Sequence, residues 1–331
     1  MVTKRPRLKC FQKFNIFGNS MKLFKRTELL MGNRFDLGVV GKDESMALAA
    51  LEKAVREIQR IEQLFTTYRP DSQVNLINAN AGLEPQIVDL EIIQLIERAR
   101  KISDLTQGAF DLTYGSLDKR FWNFDQEMTE LPSAEMAKQS VQLINYRNII
   151  VNRSDSTVLL AEAGMRIGFG GIGKGYAADC AKKVLIDSGF SDGLVNASGD
   201  MCAWGHRPDG KDWTIGITNP DRPTEVFSEF SLRNSAVATS GNYEKFVTIG
   251  GQKFSHTIHP KTGFPIQGIK SVTIFAPMAE LADALTTPIA VMGVEVGLDL
   301  INQLHGVGCL MIDDANRLHA SNNVRSLRLA S

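Results

Sequence analysis

The amino-acid sequence predicts an α+β fold, in which mixed and antiparallel sheets pack against helices. Helical patterns alternate irregularly with runs of strand patterns, whereas a doubly wound parallel sheet requires a regular alternation of strand and helix. Two short strand patterns also follow each other closely, at residues 148–151 and 157–160, which indicates a hairpin or meander. No internal repeat is visible.

Apolar periodicity predicts the helices. Between Ser45 and Phe65 apolar side chains recur at spacings of three and four, which places one stripe along an amphipathic helix. A second helix is predicted over residues 89–103. Its inward-facing residues are expected to be Leu90, Ile93, Leu95 and Ile96. Further helices are expected from residue 176 to a stop at Gly189, over 278–292, and from there to 305.

The remaining strand patterns lie mostly in the second half of the chain. They cover residues 193–198, 213–218, 226–232, 246–249, 271–276 and 306–312. Residues 108–117 contain too many glycines for a helix and are interpreted as a loop and turn. Residues 123–140 are polar and acidic, which predicts a solvated connection.

Composition excludes several classes of protein. The 37 basic and 37 acidic residues cancel, so no general attraction to nucleic acid is expected. The four cysteines are far apart and lack CxxC spacing, which argues against a zinc site or a redox pair and is typical of free thiols in a reducing compartment. No window of the sequence predicts a transmembrane segment.

The domain boundaries are expected near residues 28 and 320. Residues 1–27 form a basic extension that is predicted to be poorly ordered, and residues 321–331 a C-terminal tail. Between them we expect one domain of two intimately packed α+β halves. Charged residues interrupt every apolar run of the extension, so a secretory signal is not indicated. A cytoplasmic location is therefore expected, with a periplasmic one as the alternative if the true leader differs.

A glycine-rich loop precedes the helix at residue 176. Its glycines at 170, 171, 173 and 175 leave backbone N–H groups open beside a helix N-terminus, which suits phosphate oxygens. The letters also match a dinucleotide fingerprint and most of a Walker A loop. Neither context fits, because Gly175 stands where the Walker loop needs Ser or Thr, and no early βαβ unit is present. A helix entry without any ligand is the remaining alternative.

Two further groups of side chains are chemically suggestive. Asp283 and Thr287 are four residues apart, so on a helix they share one face and offer oxygen ligands of the kind that Mg²⁺ prefers. An ordinary first-turn acid and a back-bonding threonine would give the same pattern. His256 and His259 lie upstream, and histidine is the side chain most easily poised as a base near neutral pH.

Eight motifs in order resemble the ApbE-type flavin transferases, which are FAD:protein FMN transferases. They are MGNRFDL at 31, TYRPDSQVNLIN at 67, GAFDLTYGSL at 108, GGIGKGYAAD at 170, VNASGD at 195, ATSGNYEKF at 238, SHTIHPKTG at 255 and LADALTTP at 281. The resemblance spans about residues 28–312. It implies an ApbE-like, T-fold-related architecture and transfer of FMN from FAD to a threonine of an acceptor protein with a Ser/Thr-rich motif, with release of AMP.

The resemblance also assigns site residues. Contacts with FAD are implied for Met31, Tyr68, Ala109, Phe110, Asp111, Lys174 and Thr257. A Mg²⁺ ion would be held by Asp283, Thr287 and the backbone carbonyl of Gly171. Asp283 thereby takes a catalytic role, and His256 is the candidate that accepts the proton of the attacking hydroxyl.

The sequence departs from the family pattern at two positions. Gly168 stands where the family commonly has an acidic residue, and His259 stands where it often has aspartate in D-P-x-T-G. Two alternatives therefore stay open beside the transferase. The same site with water as nucleophile would be a FAD pyrophosphatase that yields FMN and AMP, and a site without turnover would be a FAD-binding protein.

Overall fold

The computed structural model describes residues 20–118, 120, 130–219, 222–241, 246–249 and 252–327. The helices in these ranges are α1 (Glu44–Phe65), α2 (Gln73–Ala79), α3 (Leu90–Leu105), α4 (Ala134–Ser140), α5 (Gly173–Asp187) and α6 (Ala279–Gln303). The strands of the N-terminal half are β1 (Lys22–Leu30), β2 (Asn33–Gly41), β3 (Gln86–Ile87), β4 (Ile149–Asn152) and β5 (Thr157–Leu160).

The strands that follow are β6 (Gly193–Ala197), β7 (Asp200–Trp204), β8 (Trp213–Asn219), β9 (Arg222–Leu232), β10 (Ser235–Gly241), β11 (Phe246–Ile249), β12 (Gln252–Ser255), β13 (Ile269–Ala276), β14 (Gly308–Asp313) and β15 (Leu318–Ala320). Eight strands form the main sheet in the order β1-β2-β6-β7-β10-β13-β14-β15, and every neighbouring pair in it is antiparallel. Strands β3-β5-β4, β8-β9 and β11-β12 form three smaller sheets. The predicted α+β fold is confirmed.

Both faces of the main sheet are covered by other elements. Neighbouring residues of a strand point to opposite faces, so each strand contributes side chains to two cores. Val39 of β2 belongs to the large core that the sheet forms with α1, α5 and α6, whereas Val40 belongs to the core beneath the β8–β9 hairpin. On β10 the same alternation places Ala236 in the first core and Val237 in the second. Helices α5 and α6 therefore lie side by side on one face of a sheet that is buried on both sides.

The helix boundaries follow the capping residues. Asp43 caps α1, since its carboxylate accepts a hydrogen bond from the Met46 backbone N–H at 3.0 Å. Asp89 caps α3 in the same way through Glu91, at 2.8 Å. Helix α5 ends just before Gly189, as predicted. The strand predictions between residues 148 and 312 are likewise confirmed, with shifts of a few residues at their ends.

The N-terminal boundary at residue 28 is wrong. Strand β1 begins at Lys22 inside the predicted extension and pairs with β2 along its whole length. Charged residues interrupt the apolar ones on this half-buried edge strand, so no run of apolar residues revealed it. The predicted C-terminal tail is also partly structured, because residues 322–327 form a 3₁₀-helix. The secretory-signal prediction concerns residues outside the described ones, and the division into two halves stays a prediction.

Three local predictions in the first half need correction. The loop at 108–117 contains a 3₁₀-helix at Leu112–Ser116, and the C-terminal part of the solvated connection forms α4. Residues 123–129 of that connection lie outside the described ones. Leu90 is 43% exposed rather than inward, because the buried stripe of α3 runs through Ile92 and Ile93. These short elements could not be recognised from local composition, because their apolar residues pack against residues that are distant in sequence.

One helix among the described residues, α6, is long and apolar enough to cross a membrane by length and composition, which sequence analysis had not anticipated. The described chain instead packs it on the main sheet, against β10 and β13. Non-helical backbone at Gly293 divides it into two segments, as the predicted boundary at residue 292 implied.

Candidate functional site

The site forms where the N-termini of α5 and α6 meet. Asp283 of α6 reaches across to α5, where its Oδ2 accepts a hydrogen bond from the Gly175 backbone N–H at 3.0 Å and the carboxylate also accepts from the Lys174 N–H. The first N–H groups of a helix have no partner within the helix, and they favour negative charge. Asp283 thus caps α5 from outside, which explains why no side chain of the loop itself caps this helix.

The cap is reciprocal. Asp179 of α5 accepts hydrogen bonds from the backbone N–H groups of Ala279 and Glu280 at 3.1 and 2.9 Å, at the start of α6. Each helix therefore supplies an aspartate to the N-terminus of the other. This exchange fixes the orientation of the two helices and with it the position of Asp283.

Gly175 makes the close approach of the two helices possible. A Cβ atom at this position would lie 2.2 Å from the carbonyl oxygen of Ala279 and 2.8 Å from the backbone nitrogen of Glu280. These are backbone atoms of α6, so they cannot rotate away as a side chain could. Helix packing therefore requires glycine at this position.

Lys174 lies between two buried carboxylates. Its Nζ contacts Asp200 Oδ2 and lies 3.8 Å from Asp283 Oδ1. The side chains of Asp200 and Asp283 are 5% and 7% exposed, whereas that of Lys174 is 28% exposed. The Lys174 side chain is thus partly exposed beside the glycine loop.

Burial dominates the electrostatics of these carboxylates. It raises the pKa of Asp200 to about 7, with the nearby Asp283 charge as the second cause and Lys174 opposing both. Burial also raises the pKa of Asp283. Two carboxylates share one lysine, so the ionised site carries excess negative charge that is costly away from water.

These residues fit a hard divalent cation. Asp283 Oδ2 is held by the Gly175 N–H, while Oδ1 lies 3.8 Å from the Lys174 ammonium. Thr287 lies one helical turn further on α6 and is partly exposed. A cation there would offset the excess charge, and carboxylate, hydroxyl and carbonyl oxygens are the ligands that Mg²⁺ prefers. Among the described residues no cluster of three His, Cys, Asp or Glu side chains suits a metal, so this set depends on Thr287 and the Gly171 carbonyl.

The structure brings several predicted FAD contacts to the loop. The methyl group of Met31 lies 3.6 Å from the Cβ position of Gly173, and the Phe110 ring lies 3.5 Å from that of Gly171. Tyr68 is 95% exposed in the turn after α1, and its neighbour Thr67 is 3.9 Å from the Cβ position of Gly168. An exposed ring beside a loop of this kind is available for stacking.

Asp111 uses its carboxylate inside the protein. One oxygen accepts hydrogen bonds from the Thr113 N–H and hydroxyl at 2.8 and 2.6 Å, and the other accepts from the Tyr146 N–H at 2.8 Å. Burial raises the pKa of this carboxyl. A contact between FAD and Ala109 or Asp111 would therefore use backbone atoms.

His256 and Thr257 follow β12 directly. Thr257 is buried, and its backbone N–H and carbonyl are engaged by Ser255 Oγ at 3.1 Å and the Ile266 N–H at 2.9 Å. His256 is partly exposed. Their roles as base and FAD contact stay predictions.

His259 holds a turn at the position where the family pattern often has aspartate. Its Nδ1 accepts a hydrogen bond from the Lys261 backbone N–H at 3.1 Å, and its carbonyl accepts from Thr262 and Gly263. Burial lowers the pKa of His259, which favours the neutral ring that this acceptor role requires. A hydrogen-bonded turn is therefore present although histidine stands at this position.

Two cavities flank this turn. One, of about 500 Å³, has Phe254, Phe264 and Ile266 among its apolar walls. The other, of about 350 Å³, is lined by polar residues that include Arg147 and Lys261. Neither has Lys174 or Asp283 among its described lining residues.

Sequence reasoning missed Asp179 and Asp200. Both lie in quoted motifs, GGIGKGYAAD and VNASGD. Their partners are 100 and 26 residues away, so no spacing rule connects them with α6 or with Lys174.

A sequence profile of the ApbE family matches residues 31–311. That range includes both capping aspartates, the glycine loop and the lysine between the two carboxylates. The chain belongs to the ApbE family.

Similar proteins align with this chain over most of their length. A FAD:protein FMN transferase from Treponema pallidum (strain Nichols) is 32% identical over 317 residues, which cover 90% of this chain and 86% of that protein. A FAD:protein FMN transferase from Escherichia coli (strain K12) is 28% identical, and the match covers 85% of this chain and 82% of that protein.

Solved ApbE structures share the fold. The ApbE protein from Thermotoga maritima matches with a TM-score of 0.84 at 28% identity, over 93% of this chain and 100% of that one. Pseudomonas stutzeri flavinyl transferase ApbE matches with a TM-score of 0.83 at 25% identity, over 96% and 100%. The ApbE-like architecture implied by the motifs is confirmed.

Proposed function

We propose that this protein is a FAD:protein FMN transferase that needs Mg²⁺, attaches FMN to a threonine of another protein and releases AMP. The observation that carries the proposal is the meeting of Lys174, Asp200 and Asp283 at the end of the glycine loop. The names of the relatives support the flavin chemistry. The threonine and the AMP are what the family resemblance implies, and the metal is supported by that resemblance and by the oxygen ligands near Asp283.

Substrate binding is assigned to the loop and its neighbours. The start of the glycine loop and the partly exposed Lys174 side chain hold the diphosphate of FAD. The Gly173 and Gly175 N–H groups do not take part, because they donate to the Phe169 carbonyl and to Asp283. Met31, Phe110 and Tyr68 give the flavin an apolar and aromatic surround. Thr257 lies further along the chain, and we assign it a contact with FAD that does not use its N–H, which donates to Ser255 Oγ.

The metal site is assigned to Asp283, Thr287 and the Gly171 carbonyl. When bound there, Mg²⁺ supplies positive charge to the diphosphate during phosphoryl transfer. Asp283 holds this position because the α5 N-terminus orients its carboxylate. Lys174 adds the second positive charge next to it.

The transfer step breaks one bond and forms one bond. The acceptor threonine Oγ attacks the phosphorus of the FMN half, and the bond from that phosphorus to the bridging oxygen breaks. AMP leaves with the bridging oxygen. The hydroxyl proton passes to a base, which we assign to His256 because neutral imidazole accepts a proton near pH 7.

The test is incubation of the purified protein with FAD and a Ser/Thr-rich acceptor peptide, with and without Mg²⁺, followed by chromatography of AMP and mass spectrometry of the peptide. We expect FMN on a threonine only when metal is present. Asp283→Ala should abolish this, while Asp299→Ala should not, since Asp299 lies on the exposed side of the same helix.

Other outcomes identify the alternatives. Free FMN with AMP and an unmodified peptide would show a pyrophosphatase. FAD that binds and stays intact would show a binding protein and refute the proposal. Equal activity in Asp283→Ala and wild type would refute the metal assignment alone.

A further inference from the structure

Asp200 stands out because it contacts Lys174 more closely than any other described carboxylate, although the proposed metal site does not use it. It is 3% exposed and is the first residue of β7, opposite Ala197 of β6. The backbone N–H of Thr239 on the neighbouring β10 also donates to its carboxylate. The two central strands of the sheet therefore hold the Asp200 carboxylate in place.

Lys174 has two carboxylates within reach, and its position decides which one it neutralises. Its Nζ contacts Asp200 but is 3.8 Å from Asp283 Oδ1, which is beyond hydrogen-bond distance. A lysine ammonium sits on a flexible four-carbon stem. A shift of about 1 Å would bring it to the usual length of a charge-assisted hydrogen bond with Asp283.

Such a shift would occupy the oxygen that a cation needs. Asp283 Oδ2 already accepts the Gly175 N–H, and Oδ1 is the oxygen that lies 3.8 Å from the Lys174 ammonium. An ammonium hydrogen-bonded to Oδ1 would both block that oxygen and cancel the charge that attracts Mg²⁺.

We infer that Asp200 is a positioning residue that retains Lys174 at a distance from Asp283 and thereby leaves Asp283 Oδ1 open for a divalent cation. This inference rests on the proposed function, because it concerns the same metal position. It gives Asp200 no contact with the metal or with the reacting atoms. Its effect passes through Lys174 alone.

A double variant that lacks both the Asp200 carboxylate and the Lys174 ammonium distinguishes a positioning role of Asp200 from direct metal binding by Asp200. In Asp200→Asn the ammonium loses the charge of Asp200, and we expect it to move toward Asp283 Oδ1, which lies 3.8 Å away. In Asp200→Asn with Lys174→Met no ammonium is left to occupy Asp283, so the oxygen is open again. If Asp200 were itself a metal ligand, the double variant would stay as weak as Asp200→Asn.

The experiment measures Mn²⁺ binding to the full chain without FAD, by electron paramagnetic resonance of the free ion. The proteins are the wild type, Asp200→Asn, Lys174→Met and the double variant, each checked by circular dichroism. We expect Asp200→Asn to weaken Mn²⁺ binding by about tenfold or more, since a charge-assisted hydrogen bond must be displaced. Lys174→Met and the double variant should bind Mn²⁺ at least as tightly as the wild type.

Three results would overturn the inference. They are unchanged Mn²⁺ affinity in Asp200→Asn, a double variant as weak as Asp200→Asn, and weaker binding in Lys174→Met. Weaker Mn²⁺ binding in Lys174→Met would overturn the inference even if Asp200→Asn fails to fold. FMN transfer by the wild type is assayed in the same preparations. If the wild type transfers FMN and any of the three results is found, the inference is refuted and the proposed function is not.

Discussion

Replacing Gly175 by alanine tests whether the contact between α5 and α6 builds the site. The added Cβ would lie 2.2 Å from the Ala279 carbonyl oxygen, about 1.2 Å closer than the 3.4 Å at which ordinary contact begins. The helices must separate or tilt, which strains the two hydrogen bonds that Asp179 accepts from α6. The same movement would draw Asp283 away from the α5 N-terminus.

The expected loss follows from known effects. Overpacking of a tight interface costs about 1–3 kcal/mol, and weakening of a helix cap costs about 0.5–2 kcal/mol. Alanine has a better helix propensity than glycine, which returns up to about 1 kcal/mol. We therefore expect the free energy of unfolding to fall by about 2 kcal/mol, a large share of a typical total of about 5–15 kcal/mol.

Urea unfolding followed by circular dichroism measures this change, with an unchanged slope and a lower midpoint. Gly170→Ala is the matched control, because nothing lies within 4 Å of its Cβ position in the same loop. Wild-type stability in Gly175→Ala would refute the packing argument. An equal loss in both variants would show that the loop backbone, and not the approach of α6, is responsible.

Three further predictions concern other parts of the chain. Asp179→Ala should lower the free energy of unfolding by about 1 kcal/mol through the lost α6 cap, whereas the exposed Asp187→Ala should change it by less than about 0.5 kcal/mol; equal losses in urea unfolding would contradict the reciprocal cap. Tyr68→Ala should leave the unfolding midpoint unchanged, since the ring is 95% exposed, and should weaken FAD binding in a fluorescence titration by up to about tenfold through lost stacking; unchanged affinity would remove Tyr68 from the site. His259→Asn should flatten the pH dependence of stability. Burial lowers the folded pKa of His259 below its unfolded value of 6.5, so the unfolded chain binds the proton more readily than the folded chain. Wild-type stability therefore falls as the pH drops through about 6.5. Asparagine can still accept the Lys261 N–H without titrating, so an identical acid loss in both proteins would contradict this assignment.

Local sequence determined the elements with strong periodicity or clear caps. The apolar stripe between Ser45 and Phe65 gave α1, and the Gly189 stop gave the end of α5. The i, i+4 spacing placed Asp283 and Thr287 one turn apart on α6, since this geometry depends on the helix alone. The glycine loop likewise indicated a phosphate site before any tertiary contact was known.

Short elements were harder because their stability comes from distant residues. Strand β1 has charged residues on a half-buried edge and is recognisable only through its pairing with β2. Helix α4 has seven residues, too few for periodicity to show, and buries Ala137 and Ser140 against the rest of the chain. Isolated helices of this length are unstable, so packing must supply what local sequence lacks.

The sequence by itself determined the family and the fold class, and it predicted the residues to which we assign the chemistry. Only the tertiary structure revealed the contacts between them. Asp200 meets Lys174 because β7 and the start of α5 converge, and Asp179 and Asp283 exchange caps because Gly175 lets two helices touch. Hydrogen bonds and charges act over a few ångströms of space whatever the separation in sequence, so these pairs exist only once the chain has folded.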